Sequence, residues 1–196
     1  MSRPVALDRS FSDDRRVERT REALMHAFRD LFFERGFEAL SIGEIADRAR
    51  IGRSTFYKHF AGKDDLLSDL MGHDLGVLAD ASMNSQQPFE LTVVIERFWD
   101  QRRHARAVLG PESRLAMTRL LAGLIETRLA AAREAHPEQH GGCPVGLAAI
   151  LVAAGQIAFL EAWLTGRRPC SRRLAAESLH GAGFAAVAAL SGVKPA

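Results

Sequence analysis

The stretch that decides the fold is SIGEIADRARIGRSTFYKHF, residues 41–60, which predicts two short helices joined by a tight turn. Ser41 and Glu44 form a capping-box pattern, in which each side chain satisfies a free backbone N–H at a helix start. Apolar residues then recur at helical spacing, at Ile42, Ile45, Ala46 and Ala49. Gly52 is a poor helix former, so the chain is expected to turn at residues 50–52 before a second helix begins.

Phe56 and Phe60 define the buried side of that second helix, because residues four apart lie on one helix face. With Ile51 also turned inward, the outward side carries residues that can all hydrogen-bond: Arg53, Ser54, Thr55, Tyr57, Lys58 and His59. A helix with such a surface fits the major groove of DNA, where base edges present hydrogen-bond donors and acceptors. The alternative for any single one of these residues is an exposed side chain without energetic weight. The pattern as a whole predicts a DNA-reading helix.

The same stretch, with the helix before it and the charged run after it, resembles the helix-turn-helix of the TetR family of bacterial transcriptional regulators. The resemblance covers about residues 15–75, and its most diagnostic part is the run from Thr55 to Phe60 followed by Lys63. Such an ordered set is far more specific than an isolated helix-turn-helix pattern. One departure is Arg50, at a turn position where such motifs often carry glycine. A left-handed conformation there would cost about 1 kcal/mol.

The resemblance implies an all-α fold with about nine helices. A three-helix DNA-binding head would occupy residues 13–62, and a C-terminal helical body for dimerisation and ligand binding would occupy residues 63–196. It also implies a cytoplasmic homodimer that represses transcription from a palindromic double-stranded DNA operator and is released by a small-molecule effector. The expected groove contacts are Arg53, Thr55, Tyr57, Lys58 and His59. The expected contacts with the DNA backbone are Thr20, Ser41, Ser54 and Lys63.

Charge is unevenly distributed along a chain whose formal net charge is only +2. Residues 61–100 hold two basic and eight acidic residues, whereas residues 101–133 hold seven arginines and two acids. Two helices that face each other, or two solvated faces, explain this split better than a ligand or partner site. The main alternative function, non-specific architectural DNA binding, would usually require a much stronger basic excess.

Enzymatic and metal chemistry find little support in the residue pattern. No nucleophile with a base, Gly-rich phosphate loop or closed metal set is evident, so we expect neither an enzyme nor a cofactor. His136, His140 and Cys143 have suggestive spacing, but a fourth ligand is missing and the Pro and Gly residues explain the loop without a metal. Two cysteines without a signal sequence fit a reducing cytoplasm.

The remaining helices are expected from apolar periodicity and from Gly and Pro boundaries. A first helix should run from about Asp13 to Arg35, a fourth should open at Lys63, a fifth should cover about Glu90–Leu109, a sixth segment should lie around Ser113, and a seventh should cover about Leu115–Ala135.

The segment Val145–Leu164 is long and apolar enough to cross a membrane, but it is rich in Gly and Ala and contains Gln156 and Glu161. We therefore expect a buried helix. The last helix, about residues 174–190, is equally rich in small residues, which let helices approach closely. Pairing of these two helices with their symmetry mates would form a four-helix dimer interface. The alternative is that both helices pack within one monomer.

The resemblance also implies a ligand pocket in the C-terminal body; the alternative is a regulator of this family without a small-molecule effector. Candidate lining residues are His73, Phe98, Trp99, Arg102, Met117, Leu121, Phe159 and Trp163. Ordinary core packing is the competing explanation for the aromatic residues and Met117.

Overall fold

The computed structural model describes residues 8–111, 113–135 and 142–191, and describes no side chains for residues 8–14 and 191. Within these residues the chain forms nine helices and no strands, so the predicted all-α fold is confirmed. The helices are α1 (Asp8–Arg35), α2 (Ile42–Ala49), α3 (Arg53–His59), α4 (Lys63–Met83), α5 (Phe89–Asp100), α6 (Arg102–Leu109), α7 (Arg114–Ala135), α8 (Val145–Leu164) and α9 (Arg172–Ser191).

The N-terminal head is built on a cluster of buried aromatic rings. Phe28 and Phe32 of α1 stack with their ring centroids 5.4 Å apart, and Phe37 meets both rings edge to face. In α3, Phe56 is fully buried, and Phe60 directly after the helix is 3% exposed. Burying a Phe side chain contributes roughly 1.5–3 kcal/mol. This packing holds α3, which has only seven residues and would not be stable alone.

The turn between α2 and α3 contains Arg50 at the position where such motifs often carry glycine. Arg50 adopts the left-handed conformation, with φ 57° and ψ 40°. Its backbone N–H donates to the carbonyl of Asp47 at 3.0 Å, and the N–H of Ile51 donates to the carbonyl of Ala46 at 2.9 Å. These bonds satisfy carbonyls that the end of α2 would leave without partners.

Helix α4 connects the head to the body, packing against α1 and against α5, α7 and α9. The guanidinium of Arg128 on α7 lies 2.6 Å from the carboxylate of Asp80 on α4 and also approaches the carbonyl of Gly76. An ion pair therefore joins the acidic segment to the arginine-rich segment, as expected for two helices that face each other.

The region between α4 and α7 differs from its prediction. The single helix expected over Glu90–Leu109 is two helices, because the chain bends at Gln101, where φ is −99° and ψ is 28°. Ser113 lies in a turn before α7 and not in a separate helical segment. Its buried hydroxyl accepts a 3.2 Å hydrogen bond from the backbone N–H of Phe37, which fastens the body to the head.

Helix α8 has the predicted bounds and packs against α6, α7 and α9. By length and composition alone it could cross a membrane, although a core helix of a soluble protein passes the same test. Ten of its residues are buried, including Gln156 and Glu161. Its opposite side leaves three large apolar residues exposed: Leu147, Ile150 and Leu151.

Candidate nucleic-acid interface

The outward face of α3 carries the residues predicted to meet DNA. Arg53, Ser54, Tyr57 and Lys58 are exposed, whereas Thr55 and His59 are partly buried. Tyr57 is 58% exposed, and its ring rests edge-on against Phe56, with centroids 5.5 Å apart. The buried Phe56 thereby positions a large side chain that reaches out from the head.

A cleft of about 400 Å³ lies between the N-terminal half of α1 and the face of α3. It brings together four residues of the predicted set and two further ones from α1: Thr20, Thr55, Lys58 and His59, with Arg16 and Val17. Arg16 was missing from the predicted set, although its spacing of four residues from Thr20 places both on one helix face. The hydroxyl of Thr20 donates to the carbonyl of Arg16 at 2.8 Å, so its lone pairs remain available.

Ser41 forms the predicted capping box with Glu44 at the start of α2. The N–H of Glu44 donates to Ser41 Oγ at 3.2 Å, while the N–H of Ser41 donates to Glu44 Oε2 at 3.0 Å. Hydrogen bonds from the Ser41 hydroxyl and backbone, followed by one from Arg35, hold the pKa of the Glu44 carboxyl at about 2, below its ordinary value of 4.5. The local pattern therefore fixes the start of α2 in the predicted register.

Lys63 is placed differently from the expected phosphate contact. Its Nζ donates to the carbonyls of Phe37 and Leu40 at 3.0 and 3.1 Å, and lies 4.4 Å above the centre of the Phe37 ring. The ammonium thus satisfies two carbonyls of the loop before α2. Two of the three ammonium donors thus tie the start of α4 to the head, and Lys63 is only partly exposed, so its phosphate contact stays a prediction.

Gly43 determines where Arg53 can lie, a relation that the sequence pattern did not reveal. A Cβ atom added to Gly43 would lie 2.4 Å from Nη2 of Arg53, too close for any real contact. The guanidinium therefore occupies space that only glycine leaves free. The available signal was a glycine in the first turn of an otherwise amphipathic helix, a choice that usually has a packing reason.

Comparison with known proteins agrees with this geometry. The family profile described as "Bacterial regulatory proteins, tetR family" matches residues 24–70. An HTH-type transcriptional repressor of Mycobacterium tuberculosis (strain ATCC 25618 / H37Rv) is 35% identical over 104 residues, 51% of this chain and 52% of the relative. An uncharacterized HTH-type transcriptional regulator, YxbF, of Bacillus subtilis (strain 168) is 36% identical over 81 residues, 41% of this chain and 21% of the relative. The chain thus spans between a fifth and about half the length of these relatives.

The body as well as the head has a counterpart among solved structures. A TetR transcriptional regulator from Streptococcus agalactiae 2603V superimposes with a TM-score of 0.55 over 89% of this chain and 98% of the other, at 21% identity. At that identity the likeness shows the fold alone. The helix-turn-helix head, residues 24–70, matches the TetR family. Members of this family are helix-turn-helix transcriptional regulators and not enzymes.

In the described parts of the body, the residues predicted to line a pocket lie in several different settings. Trp99 packs on Trp163 with ring centroids 5.0 Å apart, and Arg102 lies 5.5 Å above Trp99. The Trp163 indole N–H donates to the carbonyl of Cys170 at 3.1 Å. Met117 and Leu121 are fully buried, Phe159 is partly buried and His73 is exposed.

Phe98 alone of these eight residues lines a cavity of about 340 Å³ between the head and the body. Core packing, the alternative to a ligand pocket, accounts for the two tryptophans, Met117 and Leu121, because interiors are filled to high density by such contacts. The cavity walls come from α1 and α6 as well as α4 and α5. The sequence-based prediction missed Arg29 and Phe33 of α1 because it placed the pocket within the body.

The predicted loop histidines, His136 and His140, lie outside the described residues. Cys143 is described, and its backbone N–H donates to the carbonyl of Leu190 at 2.7 Å. In the parts of the chain that the structure covers, no group of three potential metal ligands comes together.

Proposed function

We propose that this protein is a dimeric, sequence-specific DNA-binding repressor of transcription that acts in the cytoplasm at a palindromic operator. The observation that carries the proposal is the pairing of α3 with the α1 cleft. Phe56 anchors α3 from below, which leaves Tyr57 exposed and places Lys58 in the cleft beside Arg16 and Thr20. A short helix with an exposed polar face, flanked by basic residues that can meet phosphates, suits the major groove.

The proposed contacts divide by their place on the head. Arg53, Thr55, Tyr57, Lys58 and His59 would reach base edges. Thr20 and Ser54 would hold the DNA backbone, together with Arg16. Ser41 would contribute through the exposed end of its capping box. Lys63 would meet phosphate with its remaining donor while it fastens α4 to the head.

Two features favour a dimer: one head is too small for a specific DNA site, and the body has an uncovered apolar surface. Specific DNA sites usually require about 1,000 Å² or more of protein surface, which favours two heads on successive major grooves. The apolar residues left uncovered on the last two helices suit a partner: Leu147, Ile150, Leu151 and Leu174. Nothing lies within 4 Å of a Cβ added to Gly155 or Gly181, so these glycines leave room for a second copy to approach closely.

Footprinting on the DNA upstream of the protein's own gene tests the proposal. A bounded, roughly palindromic protected region is expected, and Tyr57→Ala should weaken binding there by about 1–3 kcal/mol. Arg103→Ala removes an exposed side chain of the body and serves as the matched control. Protection spread evenly along the DNA would favour the architectural alternative. Unchanged operator affinity of both Tyr57→Ala and Arg53→Ala would remove α3 from its proposed role.

Release by a small-molecule effector is the regulatory part of the proposal. A ligand can act only by binding one arrangement of the two heads better than the other. A regulator without a small-molecule ligand is the alternative. Thermal-shift screening of diverse compounds separates the two, since a ligand that binds only the native state raises the melting temperature.

A further inference from the structure

The cavity between the head and the body has a mixed lining. One side is apolar and includes Met71, Phe98, Val108 and Leu109. Polar side chains reach it from four helices and from the bend: Arg29 from α1, Asp74 from α4, Arg97 from α5, His104 from α6, and Gln101 from the bend. A volume of about 340 Å³, an apolar wall and a few convergent polar groups are what small-molecule sites usually combine.

The charged side chains that line the cavity carry more positive than negative charge. Arg97 forms an ion pair with Asp74, and burial raises the pKa of the Asp74 carboxyl against the lowering effect of Arg97 and His73. Arg29 forms no ion pair or hydrogen bond with any residue in the described parts of the chain. Two guanidiniums therefore face one carboxylate, and the carboxylate is already paired. This balance favours an anion over a cation as the guest.

We propose that this cavity binds a small organic acid, whose carboxylate pairs with Arg29 and Arg97 while its apolar body packs on Met71, Phe98 and Val108. Arginine suits this role because its planar guanidinium can donate two parallel hydrogen bonds to a carboxylate. As an effector site it rests on the proposed DNA-binding function, whereas binding of the acid itself does not.

The cavity is lined partly by α1, so a bound ligand can affect the position of the DNA-binding head. Phe33 and His104 form part of the wall, and their rings meet across the α1–α6 contact with centroids 4.7 Å apart. Arg29 and Phe33 stand on α1, the helix that also supplies Arg16 and Thr20 to the DNA-facing cleft. A guest held between α1 and α6 changes how the head sits on the body. Operator affinity then depends on occupancy, because the two events share one equilibrium.

Binding is tested on the full chain with two probe acids, benzoate and octanoate, by calorimetry and by thermal shift. Their neutral amides, benzamide and octanamide, and the cation benzylamine keep the apolar bodies but change the charge. At least one acid should raise the melting temperature at millimolar concentration and bind about tenfold or more tightly than its amide. Failure of both acids, equal binding of the amides, or preference for benzylamine would overturn the proposal.

Substitutions locate the site. Arg29→Gln, and the paired change Arg97→Gln with Asp74→Asn, should each weaken binding of the acid about tenfold or more. The paired change avoids leaving the half-buried Asp74 without its partner. Arg103→Gln, on α6 but outside the cavity, should bind as the unaltered protein does. Equal affinity in all three variants would place the acid elsewhere and reject the cavity.

Operator binding is measured separately by fluorescence anisotropy, with and without the acid. A protein that binds the acid but no specific DNA would refute the proposed function and leave the cavity assignment standing. A protein that binds its operator but neither acid would refute the cavity alone. An acid that binds in the cavity without changing operator affinity would reject the effector role.

Discussion

Arg50 has the left-handed backbone conformation that glycine adopts most readily, at the turn between α2 and α3. The conformation is retained because the N–H groups of Arg50 and Ile51 close the end of α2 through bonds to Asp47 and Ala46. Single residues of this kind set the geometry of the head. Gly43 affects the head through the side chain that it lacks, because a Cβ atom there would overlap the guanidinium of Arg53.

Arg50→Gly should stabilise the protein by about 1 kcal/mol, because glycine adopts a positive φ without a steric cost. Urea denaturation followed by circular dichroism measures the change. Arg50→Ala is the matched control: it removes the guanidinium but keeps the Cβ atom, so it should bring no such gain. Equal stabilisation by both variants would assign the effect to charge and not to backbone strain.

Gly43→Ala should weaken operator binding by about 1 kcal/mol, because the new methyl group displaces the Arg53 guanidinium from its place over α2. The fold should be retained, since Ala favours helix over Gly by up to about 1 kcal/mol. Fluorescence anisotropy on operator DNA gives the affinity. In an Arg53→Ala background the same change should have no effect, and an additive loss would disprove the coupling.

At the scale of elements, the helix-turn-helix combines a well-capped helix with one that depends on its neighbours. Helix α2 has a complete capping box at Ser41 and Glu44. Helix α3 has no side-chain cap and relies on the burial of Phe56 and Phe60. The DNA-facing surface therefore owes its position to packing, while the register of the motif is set by a local hydrogen-bonded pattern.

The capping box predicts an acid-sensitive contribution to stability. Folding lowers the pKa of Glu44 from 4.5 to about 2, so the stabilisation is fully present above pH 4.5 and disappears as the pH falls toward 2. Glu44→Gln should remove this part of the pH dependence, because the amide does not titrate. Urea denaturation across that pH range measures the slope. Identical slopes in the two proteins would mean that other carboxylates account for it.

At the scale of the whole molecule, the head and the body are joined by specific contacts. Ser113 accepts the N–H of Phe37, Lys63 holds the carbonyls of Phe37 and Leu40, and the cavity lies between α1 and α6. On the body, α8 leaves an apolar side uncovered. One molecule thus combines a head fastened to the body with a separate apolar surface that suits a second copy.

Leu151→Lys should convert the proposed dimer into monomers and weaken operator binding by about tenfold or more, since a charge on a central apolar contact is not tolerated. Leu151 is 60% exposed in the single chain, so the fold itself should persist. Sedimentation equilibrium gives the oligomeric state. Leu115→Lys, at a comparably exposed position at the start of α7, is the control. Loss of the dimer in both variants, or in neither, would contradict the proposed interface.

Local sequence patterns predicted the helix-turn-helix, the bounds of α8 and the all-α class, because these depend on interactions between residues only three or four positions apart. Ser41 with Glu44, and Phe56 with Phe60, are such pairs. Long-range packing, in contrast, sets the bonds from Lys63 to the loop carbonyls, the bend at Gln101 and the cavity between α1 and α6. Each of these depends on groups far apart in the chain, whose contacts leave no periodic signal in the sequence.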